Sequence, residues 1–75
     1  MSEIDFTIIK EIGVLSSASK GWELQLNIVK WGNNAPKYDL RTWAPGRSKA
    51  GKGITFTEEE AIKLMDLLHS DIFED

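Results

Sequence analysis

Aromatic and cationic side chains are concentrated in the middle of the sequence, and together they can bind nucleic acid. Indole rings stack on bases, while ammonium and guanidinium groups pair with phosphates. The candidate residues for this chemistry are Lys30, Trp31, Lys37, Arg41, Trp43, Arg47, Lys49 and Lys52. From pattern alone, Trp31 and Trp43 fit base stacking no better than they fit closing a sheet end or filling a dimer interface.

Charge is distributed unevenly along the chain. The net charge is −3, but residues 20–53 carry seven cations and two carboxylates, a local charge of +5. The segments before and after this stretch are acidic and carry −2 and −6. The local field, rather than the net charge, decides which surface attracts a polyanion. The acidic total therefore does not exclude a nucleic-acid ligand.

The sequence lacks the residue clusters on which most catalytic sites depend. It has no cysteine and one histidine, His69, placed where a cation would complement the C-terminal end of a helix dipole. Nucleophilic and zinc chemistry therefore lack their usual side chains. The carboxylates of residues 58–60 follow Thr57, and that order is typical of a capped helix N-terminus. We predict a non-catalytic protein without a metal, a cofactor or a small-molecule substrate.

The candidate residues would be positioned by strands with two different faces. Trp22, Leu24, Leu26 and Ile28 alternate with mostly polar residues, which is the pattern of a strand with one buried face. Continued alternation places Trp31 on the polar face, opposite to Trp22. A second strand, over residues 37–43, would bring the other tryptophan and two cations to one face of the sheet.

The remaining elements are predicted from composition and periodicity. An irregular strand over residues 6–15, with imperfect alternation that indicates a bulge, precedes the two strands above. A mobile basic loop over residues 44–52 leads to a short strand over residues 53–56, with Ile54 and Phe56 facing inward. The helix that follows is predicted to bury the apolar residues spaced three and four apart, which are Ala61, Ile62, Leu64, Met65, Leu68 and Ile72.

The predicted fold class is α+β, a four-stranded antiparallel sheet followed by one C-terminal helix, in a single domain over residues 1–75. A chain of 75 residues buries only about 60% of the surface that it exposes when unfolded. Since no disulfide can add stability, we expect a homodimer. No apolar run approaches the roughly 20 residues that cross a bilayer. We expect a cytoplasmic protein that can associate with the nucleoid.

The segment after the turn at residues 32–36 resembles a known family. The run Lys37–Trp43, a basic loop with proline and glycine, and the run Lys49–Thr57 before the helix are similar to the positive cofactor four family of transcriptional coactivators, bacterial YdbC-like branch. The similarity covers residues 22–68. This chain has no long tail rich in serine and lysine, so coactivator behaviour that depends on such a tail is not expected.

The resemblance implies a homodimer whose curved antiparallel sheets form channels for single-stranded DNA and whose helices pack at the dimer interface. It also assigns roles by position. The family's sheet arginine falls on Arg41, its stacking aromatics fall on Trp31 and Trp43, and its loop lysines fall on Lys49 and Lys52.

The predicted function is sequence-tolerant binding of single-stranded DNA, with RNA as a second ligand, in transcription, replication or repair. Phosphates would be met by Lys30, Lys37, Arg41, Lys49 and Lys52, with Arg47 as a flexible loop contributor. Gln25 and Asn27 share the predicted face and could bond to bases or sugars. The alternative is a protein–protein adaptor that recruits a partner through the acidic helix or a sheet edge.

Overall fold

The computed structural model describes residues 5–74, which form one antiparallel sheet followed by a helix. The sheet has four strands that pair in chain order, β1-β2-β3-β4. This arrangement confirms the predicted fold class. The bounds are β1 Phe6–Ser17, β2 Glu23–Trp31, β3 Lys37–Trp43, β4 Ala50–Phe56 and α1 Glu58–Phe73. No helix within these residues combines the length and the apolar character needed to cross a membrane.

The first strand is irregular, as its imperfect alternation predicts. It has 12 residues, against nine in its partner β2. The pairing register shifts at three places, between Ile8 and Lys10, between Glu11 and Gly13, and between Val14 and Ser16. Each bulge adds a residue on one side of the ladder and increases the local twist. β1 therefore bends along its length and follows a curved sheet.

The segment after β3 is more regular than a mobile loop. A single turn of 3-10 helix spans Pro45–Arg47, and a hydrogen bond from the Ala44 N–H to the Lys49 carbonyl, at 3.0 Å, joins the residues on either side of it. β4 then begins at Ala50, three residues earlier than predicted. The composition suggested a loop because of Gly51 and Gly53, yet a side chain on Gly51 would lie 3.1 Å from the Trp22 ring. Gly51 and Gly53 therefore allow neighbouring strands to pack closely, and they do not mark a flexible loop.

The helix begins where the sequence predicts. The Thr57 hydroxyl accepts a hydrogen bond from the Glu60 N–H at 3.1 Å, and the Glu60 carboxylate accepts one from the Thr57 N–H at 2.8 Å. This reciprocal capping box satisfies two backbone groups that the helix itself leaves without partners. Acidic residues occupy the first turn, where they complement the positive end of the helix dipole.

The apolar stripe of the helix is uncovered, which corrects the prediction that it is buried. Met65 is 62% exposed and Ile72 is 63% exposed, and the other predicted core positions of α1 are similarly open apart from the half-buried Ala61. Ile54 of β4, predicted to face inward, is 60% exposed, whereas Phe56 is buried as predicted. Periodicity identifies which side of a helix is apolar, but it does not identify the molecule that covers that side.

The apolar side of the sheet is also only partly covered. We use the term apolar face for the side formed by Leu24, Leu26 and Ile28 of β2 with Tyr38 and Leu40 of β3, all of which are half-buried. An open groove between this face and α1 is lined by Leu26, Leu40, Ile62, Met65 and Leu68, among others. The most deeply buried side chains lie on the opposite side of the sheet, where the candidate site is found.

Candidate nucleic-acid interface

The register of β2 with β3 places four of the eight candidate side chains on one side of the sheet, those of Trp31, Lys37, Arg41 and Trp43. Gln25 lies opposite Arg41, Asn27 opposite Asp39, and Val29 opposite Lys37. Alternation places both strand-terminal tryptophans on this same side, as the sequence predicts. We use the term tryptophan face for the side formed by Gln25, Asn27, Val29, Trp31, Lys37, Asp39, Arg41 and Trp43.

The tryptophan face is concave. Trp43 lies opposite Glu23, eight residues from Trp31 along β2, which is about 26 Å in a flat sheet at about 3.3 Å per residue. The two indole rings are nevertheless stacked, with centroids 6.0 Å apart and planes within 1° of parallel. Two side chains cannot bridge that distance, so the sheet must curve toward this face. The family resemblance implies a curved sheet, whereas the alternation of side chains along a strand does not predict curvature.

An aromatic cluster fills the middle of the concave face. The Phe6 ring lies 5.6 Å from the Trp31 ring and 5.0 Å from the Trp43 ring, in tilted arrangements. Trp43 has no exposed surface, whereas Trp31 is only partly buried. Trp31 therefore keeps some exposed surface in this conformation, whereas Trp43 keeps none. Alternation assigns both tryptophans to the correct face, but it does not report the depth of either ring.

A buried carboxylate organises this cluster. Asp39 is 0% exposed, and it accepts a hydrogen bond from the Trp31 indole N–H at 3.0 Å. It also accepts bonds from the Arg41 guanidinium through Nε and Nη2, each at 2.8 Å. A buried carboxylate is tolerated only when it is paired and fully hydrogen-bonded. Asp39 was not among the predicted site residues, although an acidic residue in a strand of cations was a visible signal.

Arg41 is held in place rather than free to follow a phosphate. Its Nη1 donates to the Gly51 carbonyl at 3.2 Å, and its guanidinium carbon lies 4.6 Å from the centroid of the Trp31 ring. The side chain is 15% exposed, and its charge is paired with Asp39. Arg41 therefore acts on the tryptophan face as a fixed group that packs against Trp31, with a small edge open to a ligand.

The amides on the tryptophan face are already engaged with one another. Asn27 Nδ2 donates to Gln25 Oε1 at 3.1 Å, and Gln25 Nε2 donates to the Glu23 carboxylate at 2.9 Å. Arg47 reaches over from the loop and donates through Nε to the same Gln25 oxygen, at 3.1 Å. Gln25 and Asn27 are both buried. Their contribution is to hold the face together rather than to present free groups to bases.

The candidate lysines divide into two groups. Lys37, Lys49 and Lys52 are exposed, and within residues 5–74 none of them forms an ion pair. Lys30 alternates with Trp31 and therefore lies on the opposite side of β2, where its ammonium donates to the Gly32 carbonyl at 2.8 Å. We use the term basic rim for Lys37, Lys49 and Lys52, and we do not include Lys30 in it.

Two comparisons with known proteins bear on this arrangement. Residues 18–67 match the sequence model of the family described as Transcriptional Coactivator p15 (PC4). The chain is also 40% identical over 68 residues to a protein of Treponema pallidum (strain Nichols) that is named only as uncharacterized. That alignment covers 91% of this chain and 80% of the relative. The matched segment includes β2, β3, β4 and most of α1, and so contains the tryptophan face and the basic rim.

Proposed function

Because the chain belongs to the transcriptional coactivator p15 (PC4) family, we propose that it binds single-stranded DNA through the tryptophan face, with little sequence preference. Family membership supports nucleic-acid binding and a transcription-related role in general. The choice of a single strand rests on one observation in particular. Trp31 is partly exposed and is fixed by Asp39 and Arg41, and the three lysines of the basic rim form no ion pair within residues 5–74.

A fixed aromatic ring is a good platform for a base. Trp31 is restrained by the bond to Asp39 and by contact with Arg41, so little conformational freedom remains to be lost when a base stacks on it. Every base has an aromatic face, so stacking tolerates any sequence. The hydrogen bond between Gln25 and Asn27 agrees with this, because it engages amide groups that could otherwise distinguish one base from another.

Phosphates are assigned to the cations at the edge of the tryptophan face. Lys37 lies on the face itself, and Lys49 and Lys52 lie on the segment that leads into and along β4. Arg41 contributes mainly by positioning Trp31, and Arg47 contributes from the loop. A strand held in this way is bound chiefly by its backbone charge and by stacking, so RNA is a second ligand. Such a protein would act in the cytoplasm, at the nucleoid.

We also propose that two copies associate through the uncovered apolar surfaces. The stripe of α1 and the apolar face of the sheet lie next to each other, and neither covers the other. A second copy related by a two-fold axis would present the same two surfaces in reverse, so that both become buried. The homodimer that the sequence resemblance implies would supply such a second copy. The resulting dimer would carry two tryptophan faces.

Replacing Trp31 by leucine is expected to weaken binding of a fluorescein-labelled oligo-dT strand by about 5- to 150-fold, which corresponds to about 1–3 kcal/mol for one base stack. Fluorescence anisotropy measures the dissociation constant. Trp22→Leu is the matched control, because Trp22 packs beside Gly51 on the apolar side of the sheet. Equal affinity of the two folded variants, each checked by circular dichroism, would show that Trp31 is not the stacking platform.

Replacing the three lysines of the basic rim by glutamine is expected to reduce the salt dependence of binding. Each lost phosphate contact on a single strand lowers the slope of log Kd against log salt by about 0.7, so the triple variant loses about 2 units of slope. Lys63→Gln, on the exposed helix, is the control and leaves the slope unchanged. A triple variant with the slope of the unmodified protein would remove these lysines from the interface.

A further inference from the structure

The indole N–H of Trp43 is the unusual polar group of the tryptophan face. Nε1 of Trp43 is buried and has no hydrogen-bond partner among residues 5–74. The equivalent atom of the neighbouring Trp31 donates to Asp39. Buried donors in folded proteins are almost always paired, so one that is unpaired requires an explanation. The position of this donor, within a face that we assign to nucleic acid, suggests that its partner is the ligand.

Arg47 covers the same ring. Its guanidinium carbon lies 5.9 Å from the centroid of the Trp43 ring. The side chain is held at both ends of its guanidinium, because Nε donates to Gln25 on β2 and Nη1 donates to the Glu11 carboxylate on β1, each at 3.1 Å. The loop residue thus reaches across two strands and restricts access to Trp43.

The backbone that carries Arg47 is held in an uncommon conformation. Gly46 and Arg47 both have positive φ, at 65° and 56°. Glycine adopts this region freely, but a residue with a side chain is disfavoured there. The contacts of the Arg47 side chain with β1 and β2 help to offset the cost of this conformation, together with the hydrogen bond from the Arg47 N–H to the Ala44 carbonyl at 2.8 Å.

The ion pair with Glu11 is the contact of Arg47 that a ligand can most easily replace. The Glu11 side chain is 68% exposed and the Arg47 side chain is 24% exposed. Ion pairs that are open to water contribute little, because the charges are screened and two long side chains must be ordered. A phosphate can accept two parallel charge-assisted hydrogen bonds from a guanidinium group, whereas Glu11 accepts one from Arg47. A nucleic-acid strand on the tryptophan face would compete effectively with Glu11.

We propose that Arg47 is a displaceable strap over a hydrogen-bonding subsite, and that the donor of this subsite is the Trp43 indole N–H. The strand draws Arg47 away from Glu11, and an oxygen of the strand accepts the Trp43 hydrogen. This inference rests on the proposed function and assigns Trp43 a polar role in place of stacking. The accepting oxygen belongs either to a phosphate or to a base carbonyl, and these two sources can be separated by experiment.

The first test follows the indole N–H signals of the uniformly ¹⁵N-labelled full chain by heteronuclear NMR. Trp22→Phe and Trp31→Phe identify two of the three tryptophan signals, and the remaining signal is that of Trp43. The probes are oligo-dT and a strand of equal length that consists of abasic sugar-phosphate units. The Trp43 signal is expected to move downfield and to exchange more slowly with water when oligo-dT binds.

The pattern across the two probes identifies the acceptor. A shift with both probes assigns the hydrogen bond to phosphate, and a shift with oligo-dT alone assigns it to a base carbonyl. The Trp22 signal serves as the internal control. If oligo-dT binds and the Trp43 signal stays in place, the subsite does not exist although the proposed function stands. If oligo-dT does not bind at low salt, the proposed function and this inference both fail.

The second test concerns the strap itself. Glu11→Gln removes the carboxylate that holds Arg47, and it is expected to tighten oligo-dT binding about two- to fivefold relative to Glu59→Gln. The two variants change the net charge equally, but Glu59 lies in the first turn of α1 and has no contact with Arg47. Equal affinities of these variants would contradict the proposal that Glu11 holds the Arg47 side chain over Trp43.

Discussion

Asp39→Asn is expected to lower the free energy of unfolding by about 3 kcal/mol, which is the usual scale for removing one partner of a buried ion pair. The change leaves the Arg41 guanidinium, 15% exposed, beside a neutral amide that cannot balance its charge. It also weakens the acceptor of the Trp31 indole N–H. Urea unfolding followed by circular dichroism measures the loss. For a domain of this size, such a loss is a large fraction of the total stability.

Two further variants test whether the loss of stability comes from the ion pair between Asp39 and Arg41. Asp66→Asn removes a carboxylate from the exposed helix and is expected to change stability by less than about 0.5 kcal/mol. Arg41→Met in the Asp39→Asn background removes the uncompensated cation and is expected to recover part of the loss. If Asp39→Asn unfolds at the same urea concentration as Asp66→Asn, the carboxylate does not organise the aromatic cluster.

Leu68→Glu is expected to convert the proposed dimer to monomers. Leu68 lines the open groove beside α1 and is half exposed in the single chain. In a two-fold interface each substitution occurs twice, so two unpaired carboxylates would be buried, at a cost of several kcal/mol each. Sedimentation equilibrium is expected to give twice 8.5 kDa for the unmodified chain and 8.5 kDa for the variant.

The control for this variant is Lys63→Gln, which makes the same one-unit change in charge on the same helix but outside the groove. It is expected to remain dimeric. A Leu68→Glu protein with the mass of the unmodified chain would place the dimer contact elsewhere. An unmodified chain that sediments at 8.5 kDa would remove the homodimer from the account and would leave the groove open to a different partner, as in the adaptor hypothesis.

Short-range patterns in the sequence predicted the elements whose bounds are set by interactions between residues close in the chain. The third strand has the predicted bounds of residues 37–43, because its alternation is unbroken and a turn precedes it. The helix start was also predicted, because a capping box is read from two residues three positions apart. β4 was predicted too short, because glycines that give room to neighbouring strands have the same composition as a loop.

The candidate site was only partly predictable for a related reason. Alternation identified the face that carries Trp31, Trp43 and Arg41, and the register agrees with it. It could not show that the sheet curves until the two indoles stack and Trp43 is fully buried, because curvature arises from bulges and from contacts distant in sequence. It also did not show that Asp39 pairs with Arg41. That contact makes Arg41 a positioning residue rather than a free cation.

The uncovered helix shows a further limit of sequence patterns. The spacing of Ile62, Met65 and Ile72 correctly indicated an apolar stripe, but these residues are exposed in the single chain. A stripe of this kind is equally suited to its own sheet, to a second copy or to another protein. The choice between these partners depends on the assembly, and a pattern within one chain does not contain that information.

Binding of single-stranded nucleic acid to the tryptophan face is tested by a titration of the unmodified protein with oligo-dT at about 50 mM salt. Intrinsic tryptophan fluorescence is followed, with an oligo-dT·oligo-dA duplex of equal length titrated in parallel. We expect the single strand to quench the fluorescence, because a base stacks on Trp31, and to bind more tightly than the duplex. Unchanged fluorescence without binding, or duplex bound as tightly as the single strand, would contradict the account.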